Sequence, residues 1–205
     1  MTTIQSSASL RTVVGLEDSA PRLRESALIM IDYQNTYRTG VMTLEGAGQA
    51  LAAGARLLAR ARAAGIPIVH IVNDGGVGTP YDIRAEIGAI SAEVAPADGE
   101  PIVVKQFPNA FHATELEQTL GDSGVEPGAD LVLAGFMTHM CVGHTAQGAF
   151  NLGYRPTVVA ETTATRALTG PDGGVVSAAT LQTAALTTIT DLFGVVIPTV
   201  DALPE

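Results

Sequence analysis

The stretch Leu131–Tyr154, LVLAGFMTHMCVGHTAQGAFNLGY, holds the decisive pattern of this 205-residue chain. An uninterrupted apolar run, Leu131–Phe136, leads through a GFMTHM turn to Cys141. From there to Leu152 small residues recur at helical spacing, until Gly153 ends the pattern. An apolar run that does not alternate with polar residues reads as a strand covered on both faces, as in a parallel sheet. Working outward, the same kind of run recurs at Ala27–Asp32 (ALIMID), Ile66–Val72 (IPIVHIV), Ile102–Lys105 (IVVK), Thr157–Ala160 and Val195–Pro198. Helical patterns lie between them. Ala47–Ala64 carries Leu51 and Leu58 on one side, Arg56 and Arg60 on another, and stops at Gly65 and Pro67. Ser177 caps a last helix whose inner face is read as Leu181, Ala185, Thr188 or Ile189, and Leu192. This alternation predicts an α/β protein, a three-layer α/β/α sandwich around a mainly parallel six-stranded sheet of Rossmann-like type. A single domain over 1–205 is expected, with 1–25 as an N-terminal arm. Only Asn73–Glu100 breaks the rhythm, and connections that long are usually functional or oligomeric elements.

Composition narrows the function classes. Eleven Lys and Arg stand against 21 Asp and Glu, a net charge of −10, which argues against nucleic acid and anionic membranes as partners. One cysteine allows no internal disulfide and no thiolate-rich metal cage. No uncharged apolar run reaches the ~18 residues of a membrane span. The N-terminus lacks a basic head followed by an apolar stretch, so a cytoplasmic location is expected. No internal repeat, Walker sequence or Gly-x-Ser-x-Gly elbow occurs. The cluster Gly75, Gly76, Gly78 has Tyr81 where a dinucleotide loop needs its third glycine.

Open parallel sheets bind ligands at the carboxyl ends of their strands. Three reactive side chains stand there: Asp32 after the first strand, Lys105 closing the third, and Cys141 opening the helix after the fourth. Singly, each has a plain structural reading as a turn cap, a solvated lysine and a small core residue. Together, a carboxylate, an ammonium and a thiol at three strand ends must converge. A thiol at a helix N-terminus is expected to have a lowered pKa. Asp32 could take its proton, Lys105 could hold Asp32 ionised, and turn N–H groups could hold an oxyanion, which makes a nucleophilic acyl-transfer site. Of the histidines, His139 and His144 flank Cys141 and offer an alternative base. His70 reads as a core residue and His112 as a residue near the mouth or simply exposed. No pair of histidines has the spacing of a helical zinc site. Gln34 and Asn35 could bind a polar substrate or hold the turn, and Tyr33, Tyr37, Phe107 and Phe111 are read either as substrate contacts or as core.

These blocks, LIMIDYQN, APADGEPIVVKQFPNAFHATELEQTL, LVLAGFMTHMCVGHTAQGAFNLGY and VVAETTATR, together resemble the isochorismatase-like cysteine hydrolases, from about Ala27 to about Pro198. The resemblance implies an Asp32–Lys105–Cys141 triad and a cis peptide at Phe136–Met137. It also implies an oxyanion hole from the N–H groups of Met137 and Cys141. The implied reaction is metal-independent, cofactor-free hydrolysis of a C–N bond in a small amide or ureido compound, through a thioester. Gln34, Tyr37, Phe111 and His139 are the expected substrate contacts, Phe111 because this stretch of the family often supplies an aromatic wall. Vinyl-ether hydrolysis is an alternative, as is a non-catalytic ligand-binding or redox-responsive thiol protein. Nicotinamidases of this superfamily carry an Asp-x-His metal pair after the first helix. No such pair occurs between Tyr33 and Asp74, which argues against both a metal and nicotinamide. The resemblance also suggests a homo-oligomer, as do the long Asn73–Glu100 stretch and the N-terminal arm, both of which would bury better against a neighbour than alone.

Overall fold

The computed structural model describes residues 6–205; Met1–Gln5, the start of the expected arm, lie outside the described residues. Six strands form one wholly parallel sheet: β1 (Ser26–Ile31), β2 (Ile68–Asn73), β3 (Ile102–Lys105), β4 (Asp130–Phe136), β5 (Arg155–Ala164) and, after a short antiparallel pair β6 (Leu168–Thr169) and β7 (Val175–Val176), β8 (Val195–Ile197). Their order is β3-β2-β1-β4-β5-β8. The winding direction therefore reverses between β1 and β4, the place where such sheets open a crevice at their carboxyl edge.

Both faces of the inner strands are covered, which is why they read as unbroken apolar runs; the edge strand β3 reads the same way but leaves Ile102 and Val104 exposed. In β1, Leu28 and Met30 pack towards α2 (Ala47–Ala64), while Ala27, Ile29 and Ile31 pack towards the opposite layer. All six β1 residues are buried. Each fully buried aliphatic side chain contributes about 1.5–3 kcal/mol relative to exposure. The opposite layer contains α3 (Leu116–Asp122), α4 (Gly143–Asn151) and the end of a longer segment headed by α5 (Ala178–Thr188). A glycine in α2 lets that helix approach the site side of the sheet, since a Cβ on Gly54 would lie 2.3 Å from Tyr33 Oη.

Several boundaries differ from the sequence reading. β5 runs on to Ala164, because its pairing with β4 jumps from Leu133–Val158 to Gly135–Thr163 across a bulge. Thr162 and Thr163 close that bulge with hydroxyl bonds to the carbonyls of Val159 and Ala160, an irregularity no apolar pattern announces. The helix expected from Cys141 begins instead with a π-helical turn, Thr138–Val142, and α4 proper starts at Gly143. Helix α3 was not foreseen. The last helix buries only Ala178 of its own length; Leu181 and Ala185 are half-buried and Thr188 is exposed.

The two segments expected to need a neighbour are held within the chain. Arg84 bridges Asp74 and Asp82 inside the 73–100 connection, and Gln34 ties that connection to β1. In the arm, α1 (Leu10–Val13) docks on the chain after α5: Leu10 N–H donates to Asp191 at 3.0 Å, and the buried Arg11 donates to the Leu192 carbonyl at 3.2 Å. No helix among the described residues is long and apolar enough to cross a membrane.

Candidate active site

The carboxyl edges of β1, β2, β3 and β4 bring Asp32, Asn73, Lys105 and Cys141 together. Lys105 Nζ lies 2.7 Å from Asp32 Oδ2 and 3.2 Å from Cys141 Sγ, and it donates to Asn73 Oδ1 at 3.3 Å. The ion pair is fully enclosed, with both side chains at 0% exposure. Removing two charges from water is costly, and such a pair persists only where geometry and further polar contacts compensate. Backbone conformation marks the same spot. Asp32 has φ +48°, a left-handed conformation that a non-glycine residue adopts only when its surroundings enforce it. Gly135 has φ +136°, and a Cβ there would lie 1.9 Å from the Ile31 carbonyl oxygen, so only glycine lets β4 approach β1 this closely. The Phe136–Met137 peptide that follows is cis. The Met137 carbonyl then accepts from the N–H groups of Met140 and Val142, which folds the turn back and swings Cys141 towards Lys105.

Burial governs the electrostatics. The Cys141 thiol is pushed up to about 12, first by burial and then by the negative charge of Asp32, with Lys105 acting in the opposite direction. The lowered value expected from a helix N-terminus is therefore overturned, because desolvation and a neighbouring carboxylate outweigh the dipole. Burial also raises the Asp32 pKa, against the pull of Lys105. For Lys105 burial opposes the charge, but Asp32 and Cys141 outweigh it, so its pKa is raised and it stays an ammonium. The resting cluster is a thiol beside a carboxylate of enhanced basicity, which is itself held against a permanent cation.

The expected substrate contacts fare unevenly. Gln34 is fully buried, and both ends of its amide are committed. Nε2 donates to the carbonyls of Asn73 (3.0 Å) and Gly88 (2.7 Å), and Oε1 accepts from Asn73 N–H at 3.0 Å. It is a clamp on the connection and is not free for a ligand. Phe111 is partly buried, stacks on Tyr154 at 5.7 Å and packs against the core layer that holds α4 and Cys141. Tyr37 is buried at the site, edge-on to Phe136 (5.5 Å) and Tyr81 (5.8 Å). Its hydroxyl pKa is raised chiefly by burial and also by the charges of Asp32 and Cys141. His139 is half-buried with Nδ1 2.6 Å from Thr165 Oγ1. Its pKa is lowered by burial and then by Arg166. His144 is exposed and bonds the Met140 carbonyl, which takes it out of the role of base to Cys141. His112 lies against Phe107 at 4.8 Å and His70 is buried 2.9 Å from Glu100.

Three residues at this edge escaped the sequence reading. Asn73 ends β2 and bonds Lys105. Tyr81 is carried in by the long connection. Arg166 follows β5 within range to act electrostatically on both Tyr81 and His139. Asn73 had a readable signal as a polar residue closing an apolar strand, and Arg166 as the last residue of the VVAETTATR block. Among the described residues no group of three or more His, Cys, Asp and Glu is gathered as a metal centre requires. A cavity of about 630 Å³ lies at the other end of the sheet beneath the arm, lined by Arg11, Leu16, Phe150, Tyr154 and Phe193, and contains none of the clustered groups.

A doubly covered parallel sheet, with an enclosed carboxylate–ammonium–thiol cluster at its switch point, has the architecture of an α/β hydrolytic enzyme. The chain belongs to the isochorismatase family: the model of the isochorismatase domain matches residues 26–201. It is similar to a secreted isochorismatase effector of Verticillium dahliae, with 31% identity covering 95% of this chain and 98% of the relative. It is also similar to a maleamate amidohydrolase of Pseudomonas putida, with 34% identity covering 67% and 71%. Among solved structures, an isochorismatase from Pseudomonas putida superimposes with a TM-score of 0.90 at 35% identity, covering 96% of this chain and 99% of that one. The chain is thus a hydrolase of this family, and the family includes named amidohydrolases.

Proposed function

We propose that this hydrolase cleaves the C–N bond of a small amide or ureido compound by thiol catalysis, without a metal. The observation that carries the reading is Lys105 Nζ placed between Asp32 Oδ2 at 2.7 Å and Cys141 Sγ at 3.2 Å inside an enclosed site. Asp32 takes the thiol proton as sulfur forms its bond to the substrate carbonyl carbon, so no free thiolate has to accumulate. The carbonyl oxygen becomes an oxyanion facing the N–H groups of Met137 and Cys141. As the C–N bond breaks, the proton on Asp32 passes to nitrogen and ammonia or an amine leaves, with the acyl group held as a Cys141 thioester. Water then gives a proton to Asp32 and attacks the thioester. The acid is released, and the proton returns to sulfur. Lys105 keeps its proton throughout and offsets the negative charge passed between Asp32 and sulfur.

The name of the maleamate-hydrolysing relative supports an amide substrate. A thiol that must remain reduced to react supports a reducing compartment such as the cytoplasm. We also propose self-association through α5. From Ser177 to Thr190 no residue is charged, although the chain carries −10, so this is a face where two copies could approach without repulsion. The decisive experiment measures ammonia release from a panel of small amides, carbamoyl and ureido compounds, using wild type and Cys141→Ala, each with and without EDTA. Turnover that survives the chelator and disappears in the variant is the expected result. Turnover intact in Cys141→Ala would sink the mechanism.

A further inference from the structure

Catalysis at the carboxyl edge leaves the opposite end of the sheet without a role. The cavity of about 630 Å³ lies there, at the amino ends of β4, β5 and β8, where Asp130, Arg155 and Val195 line it. The seven residues of β4, about 20 Å of strand, separate it from the turn that carries Cys141. Its volume falls in the range of roughly 300–1,000 Å³ in which proteins hold small molecules.

Three aromatic residues furnish its wall. Phe150 stands in the last turn of α4, Tyr154 precedes β5, and Phe193 meets Phe150 edge-on at 6.0 Å. Phe193 is placed by a π-helical turn, Ile189–Phe193, in which Gly194 N–H donates to the Ile189 carbonyl five residues back at 3.0 Å. Such a turn interrupts the α-helical spiral, re-aims the side chains that follow, and is frequent at functional sites. Two occur among the described residues: one brings Cys141 to the catalytic cluster, and the other brings Phe193 to this cavity. The N-terminal arm forms the cover. Its Leu16 enters the lining, while Val13 and Val14 close by in the chain stay exposed.

The charged groups around the cavity are already matched. Arg11 engages its guanidinium nitrogens within the fold: Nε on Asp18 at 2.8 Å, Nη1 on the Leu192 carbonyl at 3.2 Å and Nη2 on the Glu17 carbonyl. Arg155 holds Asp130 through two hydrogen bonds of 2.9 and 2.7 Å, and Glu17 adds its charge near Arg155. A charged ligand would meet no free counter-ion here to replace its lost water. An uncharged ring would gain apolar contact on aromatic faces without that penalty.

We infer that this cavity is a second binding site, separate from the catalytic edge, for an uncharged ring compound about the size of a two-ring aromatic, with the N-terminal arm as its cover. The site does not depend on the thiol chemistry and is tested without turnover.

The probe is N-phenyl-1-naphthylamine, which is uncharged and fluoresces brightly only away from water. Wild type is expected to take it up saturably at a single site, and Cys141→Ala equally. The same ring system carrying a sulfonate, 1-anilinonaphthalene-8-sulfonate, is expected to bind about tenfold more weakly. Phe193→Asp and, separately, Leu16→Asp at the rim should each weaken uptake of the neutral probe about tenfold or more, with unfolding midpoints showing that each variant is folded. With the neutral probe at about ten times its Kd, tryptic cleavage after Arg11 in wild type should slow about tenfold, because the ligand holds the arm closed. No saturable uptake by wild type overturns the proposal. So does uptake that survives both aspartate substitutions, uptake lost in Cys141→Ala, a sulfonate bound as tightly as the neutral probe, or cleavage unchanged by bound probe. Chain association that Leu16→Asp abolishes, with no probe taken up, would assign this face to a second copy and overturn it equally.

Discussion

Replacing Lys105 by Met tests whether the enclosed ion pair has the energetics assigned to it. The substitution removes the only cation among the described residues within 4 Å of Asp32 and leaves a carboxylate at 0% exposure with no compensating charge there. Breaking a buried pair by deleting one partner costs about 3–5 kcal/mol when the survivor stays ionised. Asp32 can escape that cost by protonating, which gives the deficit a pH dependence of defined sign. Burial already lifts its pKa above the ordinary 3.8, and loss of Lys105 removes the interaction that lowers it. For a carboxylate whose folded pKa is raised, stability is fully present below the unfolded value and is lost as pH rises through the folded one. Urea unfolding of wild type and Lys105→Met should therefore show a small gap near about pH 4 and the full gap near about pH 8. Adding Asp32→Asn to the variant should recover most of the loss at about pH 8, because no charge is then left unpaired. A gap equal at both pH values would refute the reasoning, as would a double variant no more stable than the single.

Other consequences are as direct. Cys141→Ala and Asp32→Asn should each lower kcat on the best amide by about 10³-fold or more, with circular dichroism unchanged, because nucleophile and base act as one unit. With its thiol pushed up to about 12, Cys141 in the free protein should react slowly with iodoacetamide at neutral pH and faster as pH rises, read by intact mass. Fast alkylation near neutrality would mean a resting thiolate. Gly135→Ala, whose Cβ would meet the Ile31 carbonyl at 1.9 Å, should lower stability by more than about 3 kcal/mol in chemical denaturation. Thr183→Glu with Thr187→Glu adds charge to the exposed face of α5 and should reduce the mass seen by light scattering. A wild-type protein that is already a monomer would remove the self-association proposal.

The fold was legible because the inner strands of a parallel sheet need apolar residues on both faces, and all six strands announce themselves as compact runs. The less readable parts are those where hydrogen bonding, and not apolar patterning, sets the conformation. The β5 bulge is closed by two threonine hydroxyls. The π-helical turn depends on two N–H groups converging on the Met137 carbonyl. Helix α3 buries only Leu116 and Leu120, too few apolar positions to display a helical period. Of the inner face read for the last helix, Ile189 is fully buried while Leu181, Ala185 and Leu192 are only half-buried. Leucines among alanines and threonines mark an apolar face without showing how deeply it is buried.

At the site, the residues that follow strands were readable because topology alone makes strand ends converge. The residues delivered by irregular chain were not, and their roles depend on what they leave unpaired. Gln34 follows Asp32 by two positions and has the chemistry of a substrate ligand, yet it uses both ends of its amide on backbone and has nothing left to offer. Arg166 lies 25 positions beyond Cys141, at the end of the VVAETTATR block, and keeps a covered Nε with no acceptor among the described residues. A polar side chain whose capacity is spent within the fold acts on architecture, and one whose capacity is withheld at a buried edge is available to a ligand. That distinction separates Gln34 from Arg166, and it also explains why Asp32 can be both the anchor of a buried ion pair and the group that moves a proton. Its carboxylate meets Lys105 through Oδ2 at 2.7 Å, so the pair fixes its charge while lone pairs remain to take the thiol proton.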